Sequence, residues 1–155
     1  MRKVAIVTDS SACLPSALTE ELGILVVPHR LHLGGQTLED GAISPSEFYA
    51  LLERGRGPAT TTAPPPGAFL EAYRRASQEA KSVLCIVFSS RFSVTFQVAR
   101  EGARLFRQER PQVAVEVMDS RNLALAHGFV VLAAARAAHR GEGMEVCRQE
   151  AQQVA

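Results

Sequence analysis

Short apolar runs alternate along this chain with stretches in which apolar residues recur every three or four positions, and that alternation predicts a series of βα units. The clearest case is VLCIVFSSRFSVTFQVA, Val83 to Ala99. Its opening run is rich in β-branched side chains and reads as a strand buried on both faces. The run stops at Ser89 and Ser90, and an amphipathic helix begins near Ser93. The pattern recurs at residues 4–7, which end in Thr8-Asp9-Ser10-Ser11, and at 113–118, which end in Asp119-Ser120. Three strands ending alike, each followed by a helical pattern, predict an α/β fold. Its parallel sheet carries helices on both faces and gathers Ser, Thr and Asp at its C-terminal edge.

Between these units the chain reads in order as follows. A strand over 3–7 leads to a helix over 15–22, which Gly23 ends, and 24–28 is a second strand. Residues 30–36 form a short extended segment closed by a Gly-Gly turn, in the manner of a hairpin. Ser44-Pro45-Ser46-Glu47 is a capping box with proline at the first helical position, so a helix spans 45–53 with Phe48, Leu51 and Leu52 as its apolar face. The segment GRGPATTTAPPPG, 55–67, is too rich in proline and glycine for a helix or a central strand and is expected to be a stiff, structured loop around Thr60, Thr61 and Thr62. Helices follow over 67–79, 93–110, 122–139 and 144–154.

The 155 residues fit one domain of ordinary size, and 46% apolar content is that of a globular chain. With 17 basic and 16 acidic side chains and no long run of like charge, nothing points to nucleic acid or an anionic membrane surface. Cys13, Cys85 and Cys147 are widely spaced, which suits reduced thiols in a cytoplasmic protein better than a disulfide framework. The N-terminal apolar run is too short for a signal peptide, and the stretch 123–135 falls short of the roughly 20 residues a membrane span needs.

Several chemistries lack their residues. SRFSVTF has no glycine to relieve a nucleophile elbow, which argues against a hydrolase. The histidines at 29, 32, 127 and 139 show neither i, i+4 pairing nor an H-x-E signature, so packing and surface roles are expected of them rather than zinc or a catalytic triad. Neither of the glycine-rich phosphate-binding motifs occurs. Asp9 and Asp119, each beyond a strand, are expected to hold loops by accepting backbone N–H bonds, with metal binding as the other option. That leaves the hydroxyl loops, whose Ser and Thr serve either as helix caps or as ligand contacts.

At these residues a family resemblance emerges. The pieces VTDSSACLP, VVPHRL with a downstream Asp, TTAPPPGAFLEAY, SSRFSVTFQVA and VMDSRNLALAHG stand in the order and spacing that mark the DegV family of fatty-acid-binding proteins. The resemblance covers almost the whole chain. It implies that one long-chain fatty acid binds with its tail buried and its carboxylate held by hydroxyls of two loops. Thr61 and Thr62 occupy the Thr-Ser positions of the family's first loop, and Ser93 the serine of its Ser-Gly-Thr turn. Supporting positions in the loops are Asp9, Ser10, Ser90, Thr95, Asp119 and Ser120. Ala63 and Pro65 stand where the family pattern has Gln and Ser, and Val94 where it has Gly. The likeness to the lipid-carrying subunit of bacterial fatty acid kinase further implies a kinase subunit as partner, no catalytic residues and no metal or other cofactor. Members also carry a second α/β domain, which is expected to be absent here, leaving 1–155 as a single N-terminal domain that self-association or a partner would complete.

The division of energy suits a carrier: each buried methylene contributes about 0.8 kcal/mol, whereas each hydroxyl bond adds about 1 kcal/mol and sets orientation. Candidate slot walls are Phe92, Phe96, Leu123, Phe129 and Leu31, for all of which burial statistics favour plain core. Two other readings stand beside this one. A phosphotransfer or dihydroxyacetone-kinase-type enzyme would use the same sheet but needs a reactive histidine at a strand end, where the sequence places none. A truncated domain without binding activity is the other.

Overall fold

A computed structural model of the chain describes residues 1–55 and 58–155. Strand β1 (Arg2–Asp9) turns through a 3-10 segment (Ser10–Ala12) into α1 (Ser16–Leu22) and β2 (Ile24–Val27). The hairpin of β3 (Arg30–Leu33) and β4 (Gln36–Glu39) follows, then α2 (Pro45–Arg54), β5 (Thr60–Thr62) and α3 (Pro66–Glu79). The remainder is β6 (Ala80–Val87), α4 (Thr95–Glu109), β7 (Ala114–Asp119), α5 (Ala124–His139) and α6 (Met144–Val154).

Strands β2, β1, β6 and β7 lie side by side in that order, all parallel. Their apolar runs are continuous because both faces are covered, so alternate residues enter two separate cores. Val4, Ile6, Ile24, Leu84 and Ile86 pack against residues of α5 and α6 such as Val130, Ala134 and Cys147. Ala5, Val7, Val83, Cys85 and Val115 face Phe69 and Tyr73 of α3 and Ala99 and Phe106 of α4. The predicted sheet with helices on both faces is therefore what forms.

Sheet order fixes where a site belongs. After β1 the chain moves outward to β2, whereas after β6 it moves the other way to β7, so the loops leaving these two adjacent strands part. That parting is the topological switch point at which ligands of open α/β sheets are expected to bind. The pairs Asp9 with Val27 and Val87 with Asp119 bring the C-terminal ends of all four strands to one level.

Three expectations need correction. Thr60–Thr62 is a strand, not a loop: it pairs antiparallel with β3, Leu31 opposite Thr61, and completes a small sheet of order β4-β3-β5. Proline excludes a central strand but not this edge position. Positions 56 and 57 of the predicted loop lie outside the described residues. Helix α4 begins at Thr95 rather than Ser93, because Ser93 lies outside the helix and its hydroxyl accepts the Thr95 N–H at 3.1 Å. Helix α2 has its capping box, but its predicted apolar face is uncovered: none of its residues is buried, and Leu51 and Leu52 stand exposed.

Candidate functional site

The small sheet and the loop after β6 face each other across an open cleft of about 560 Å³. One lip carries Thr61, Thr62 and Ala63, and the other Ser90, Arg91, Phe92, Ser93 and Val94. Thr61, Thr62 and Ser93, on segments far apart in sequence, thus line a single cavity. Thr61 and Thr62 are exposed and Ser93 is half-buried. The His32 ring lies between two hydroxyls, Nδ1 at 2.9 Å from Thr37 Oγ1 and Nε2 at 3.0 Å from Thr62 Oγ1, so it orients the Thr62 side chain. Ser93 Oγ lies 2.8 Å from Oγ1 of the buried Thr95, fixing the hydroxyl at the helix entrance. Val94 has φ −79° and ψ 2°, a conformation open to any L-residue, and its side chain points outward, 62% exposed. The turn holds its shape without the family's glycine.

Loop support comes from carboxylates and hydroxyls at the strand ends. Asp119 accepts the Ser90 N–H at 3.2 Å and the Arg121 N–H at 2.8 Å. Buried Ser120 accepts the Asn122 N–H at 3.3 Å. Asp9, fully buried at the end of β1, accepts the N–H of Ser11 at 2.9 Å, the Ser11 hydroxyl, and the N–H of Phe88 at 3.0 Å. Ser10 Oγ accepts the His29 N–H at 3.0 Å.

Two histidines flank Asp9. His29 Nε2 lies 3.4 Å from Oδ1, off the line of a hydrogen bond, and His127 Nε2 lies 3.6 Å from Oδ2 and 3.1 Å from Thr8 Oγ1. Burial opposes ionisation of Asp9, but the His127 and His29 imidazoles and Ser11 outweigh it and hold the carboxyl well below the usual carboxylate range. Sequence reasoning left both histidines in packing roles. The available signal was His127 inside the otherwise apolar stretch 123–135, since a buried imidazole needs a polar partner. His29 also stands just beyond β2 at the sheet edge, contrary to the expectation that no histidine occupies a strand end. Among the described residues, no group of three or more His, Cys, Asp or Glu is placed to hold a metal ion.

Apolar side chains rim the same edge. Phe92 is 70% exposed, Phe129 55%, and Leu123 and Leu125 are likewise uncovered. Phe96 and Leu31 are half-buried. Of the five candidate walls Phe96 packs against the core beneath α4, as burial statistics favoured, whereas Phe92, Leu123 and Phe129 stand exposed on the loop after β6, just before α5 and in α5. Such large apolar groups in water mark a surface that meets something else.

Comparison with known proteins follows the same lines. A family model described as "Uncharacterised protein, DegV family" matches residues 3–155. A DegV domain-containing protein of Caldanaerobacter subterraneus is 38% identical over 146 residues, covering 94% of this chain and 50% of the relative. One of Streptomyces coelicolor is 40% identical over 141 residues, covering 90% and 48%. The fold matches a Thermus thermophilus DegV family protein, whose solved structure concerns its fatty acid binding, with TM-score 0.86 at 33% identity over 99% of this chain and 53% of that one. It also matches Bacillus subtilis DegV, described as a fatty acid binding protein, with TM-score 0.86 at 26% identity over 99% and 54%. The chain spans about half the length of the curated relatives it matches. With a match running from residue 3 to residue 155 and carried by relatives at 38% and 40% identity, the chain belongs to the DegV family.

Proposed function

We propose that this chain binds a long-chain fatty acid, with Thr61, Thr62 and Ser93 holding the carboxylate and the exposed apolar rim meeting the tail. The observation that carries the reading is the convergence of those three hydroxyls on one cleft between the small sheet and the loop after β6. The fatty acid binding of the Thermus thermophilus and Bacillus subtilis proteins supports it. Hydroxyl and amide donors suit an anionic head group, and uncovered Phe92, Leu123 and Phe129 suit a tail lying across them. The chain acts as a carrier without metal or cofactor and offers the carboxylate at the open mouth of the cleft to a fatty acid kinase subunit. The three cysteines, all unpaired, suit the reducing cytoplasm.

The test is the double variant Thr61→Ala/Ser93→Ala. Loss of two hydrogen bonds to a charged acceptor weakens fatty acid binding by about 2–5 kcal/mol in displacement of a fluorescent fatty acid. Removing the Ser93 hydroxyl that accepts the Thr95 N–H lowers stability by only about 1 kcal/mol, so affinity falls much further than the melting temperature indicates. Unchanged affinity removes the head-group assignment.

A further inference from the structure

We propose that Asp9 is the positioning residue of this cleft, a buried anchor that fixes the distance between its two hydroxyl-bearing lips without touching the ligand. Three connections meet at its carboxylate. Through Oδ2 it accepts the N–H of Phe88, the residue that opens the segment bearing Ser90 and Ser93. Through Oδ1 it faces His29, which directly precedes β3, the strand that pairs with Thr60–Thr62. On its other side stands His127 of α5, the helix that brings Leu125 and Phe129 to the rim.

The connections reinforce one another. The His29 and Phe88 rings meet edge to face at 5.4 Å, so the residue preceding β3 and the residue following β6 are in direct contact. Ser10, next to Asp9, accepts the His29 backbone N–H, and Ser11 donates to Asp9 through both its N–H and its hydroxyl. An anchor that only stabilised β1 would need none of the links to β3 or α5. A hydroxyl pair recognises a carboxylate only when its spacing is held, and here both ends of that spacing trace back to one side chain.

The inference rests on the fatty-acid reading for its consequence, but its mechanical part is measured apart from it. Asp9→Asn keeps the shape of the side chain while weakening its acceptance of N–H bonds. Two ligands are compared on the wild-type chain and the variant, oleate and the uncharged oleyl alcohol, together with amide hydrogen exchange. The expected result is a fall of about tenfold in the preference for oleate over the alcohol, with alcohol binding unchanged. Exchange is expected to accelerate at Phe88 to Val94 and at Thr60–Thr62. A merely structural role weakens both ligands alike and overturns the proposal, as does a variant that keeps the wild-type preference. If the wild-type chain itself shows no preference for oleate, the head-group reading fails, and the exchange data alone decide: unchanged exchange in both segments overturns the anchor. Where Asp9→Asn does not fold, His29→Gln replaces it. This variant removes the imidazole that faces both Asp9 and the Phe88 ring but leaves the Phe88 N–H bonded to Asp9, so exchange rises more at Thr60–Thr62 than at Phe88, and equal protection of both segments overturns the proposal.

Discussion

At the scale of single residues, a buried carboxylate is costly unless its charge is answered, and at Asp9 the answer is two N–H donors, a hydroxyl and two imidazoles. The consequence for stability has a definite sign. The folded-state pKa lies below the unfolded value of about 3.9, so the contribution is fully present above that value and is lost as pH falls through it towards the folded pKa. The melting temperature should therefore decline below about pH 5. The gap between the wild-type chain and Asp9→Asn should narrow over the same interval. Glu47, Glu101, Glu109 and Glu145 are also held below the usual range by surface partners, but they titrate alike in both proteins, so the difference between the two melting curves isolates Asp9. Parallel curves from pH 7 down to pH 3 would show that the carboxylate carries no such linkage.

At the scale of elements, the site depends on how closely α5 seats on the turn after β1. Gly128 makes that approach possible: a Cβ there would lie 2.4 Å from the Ala12 carbonyl oxygen and 3.1 Å from Leu14 Cδ2. The first obstacle is backbone, which cannot step aside as a side-chain tip does. Gly128→Ala is expected to destabilise by about 1–3 kcal/mol in urea denaturation, although alanine favours a helix by up to about 1 kcal/mol. Gly67→Ala, with open space around the added carbon, is the control and should be neutral or stabilising. Equal effects at both positions would mean that α5 shifts freely. The helices themselves were legible, because Ser44 with Glu47 and the Phe69 to Tyr73 spacing are local signals. Strand β5 was not, since nothing in Thr60–Thr62 names its partner: the pairing to β3 spans thirty residues and is decided by tertiary contact. For the same reason the hydroxyls of the cleft were found by family pattern, whereas the Asp9, His29 and His127 cluster, gathered from three distant segments, left only the weak trace of a histidine in an apolar helix.

At the scale of the whole molecule, burial inside the sheet and exposure at its edge have opposite meanings. Both cores are closed by their own helices, so the domain needs nothing further to bury Phe69, Tyr73 or Phe106. The edge is different: Phe92 lines the cleft in water, and Leu123, Leu125 and Phe129, after β7, are exposed as well. An acyl chain laid across that rim keeps one side wet. If half of the roughly 0.8 kcal/mol per methylene is forfeited over about 16 carbons, affinity falls by about 6 kcal/mol, enough to turn nanomolar binding into tens of micromolar. The 155-residue chain alone is therefore expected to bind long fatty acids weakly, and more tightly where a second copy covers the rim. In that case apparent affinity rises with protein concentration. Titration with oleate at several protein concentrations, with size-exclusion chromatography alongside, checks both expectations. Tight, stoichiometric binding by a monomer would show that the rim closes over the tail unaided, and the open cleft between Thr61 and Ser93 would then be the entrance to a slot that this one domain completes.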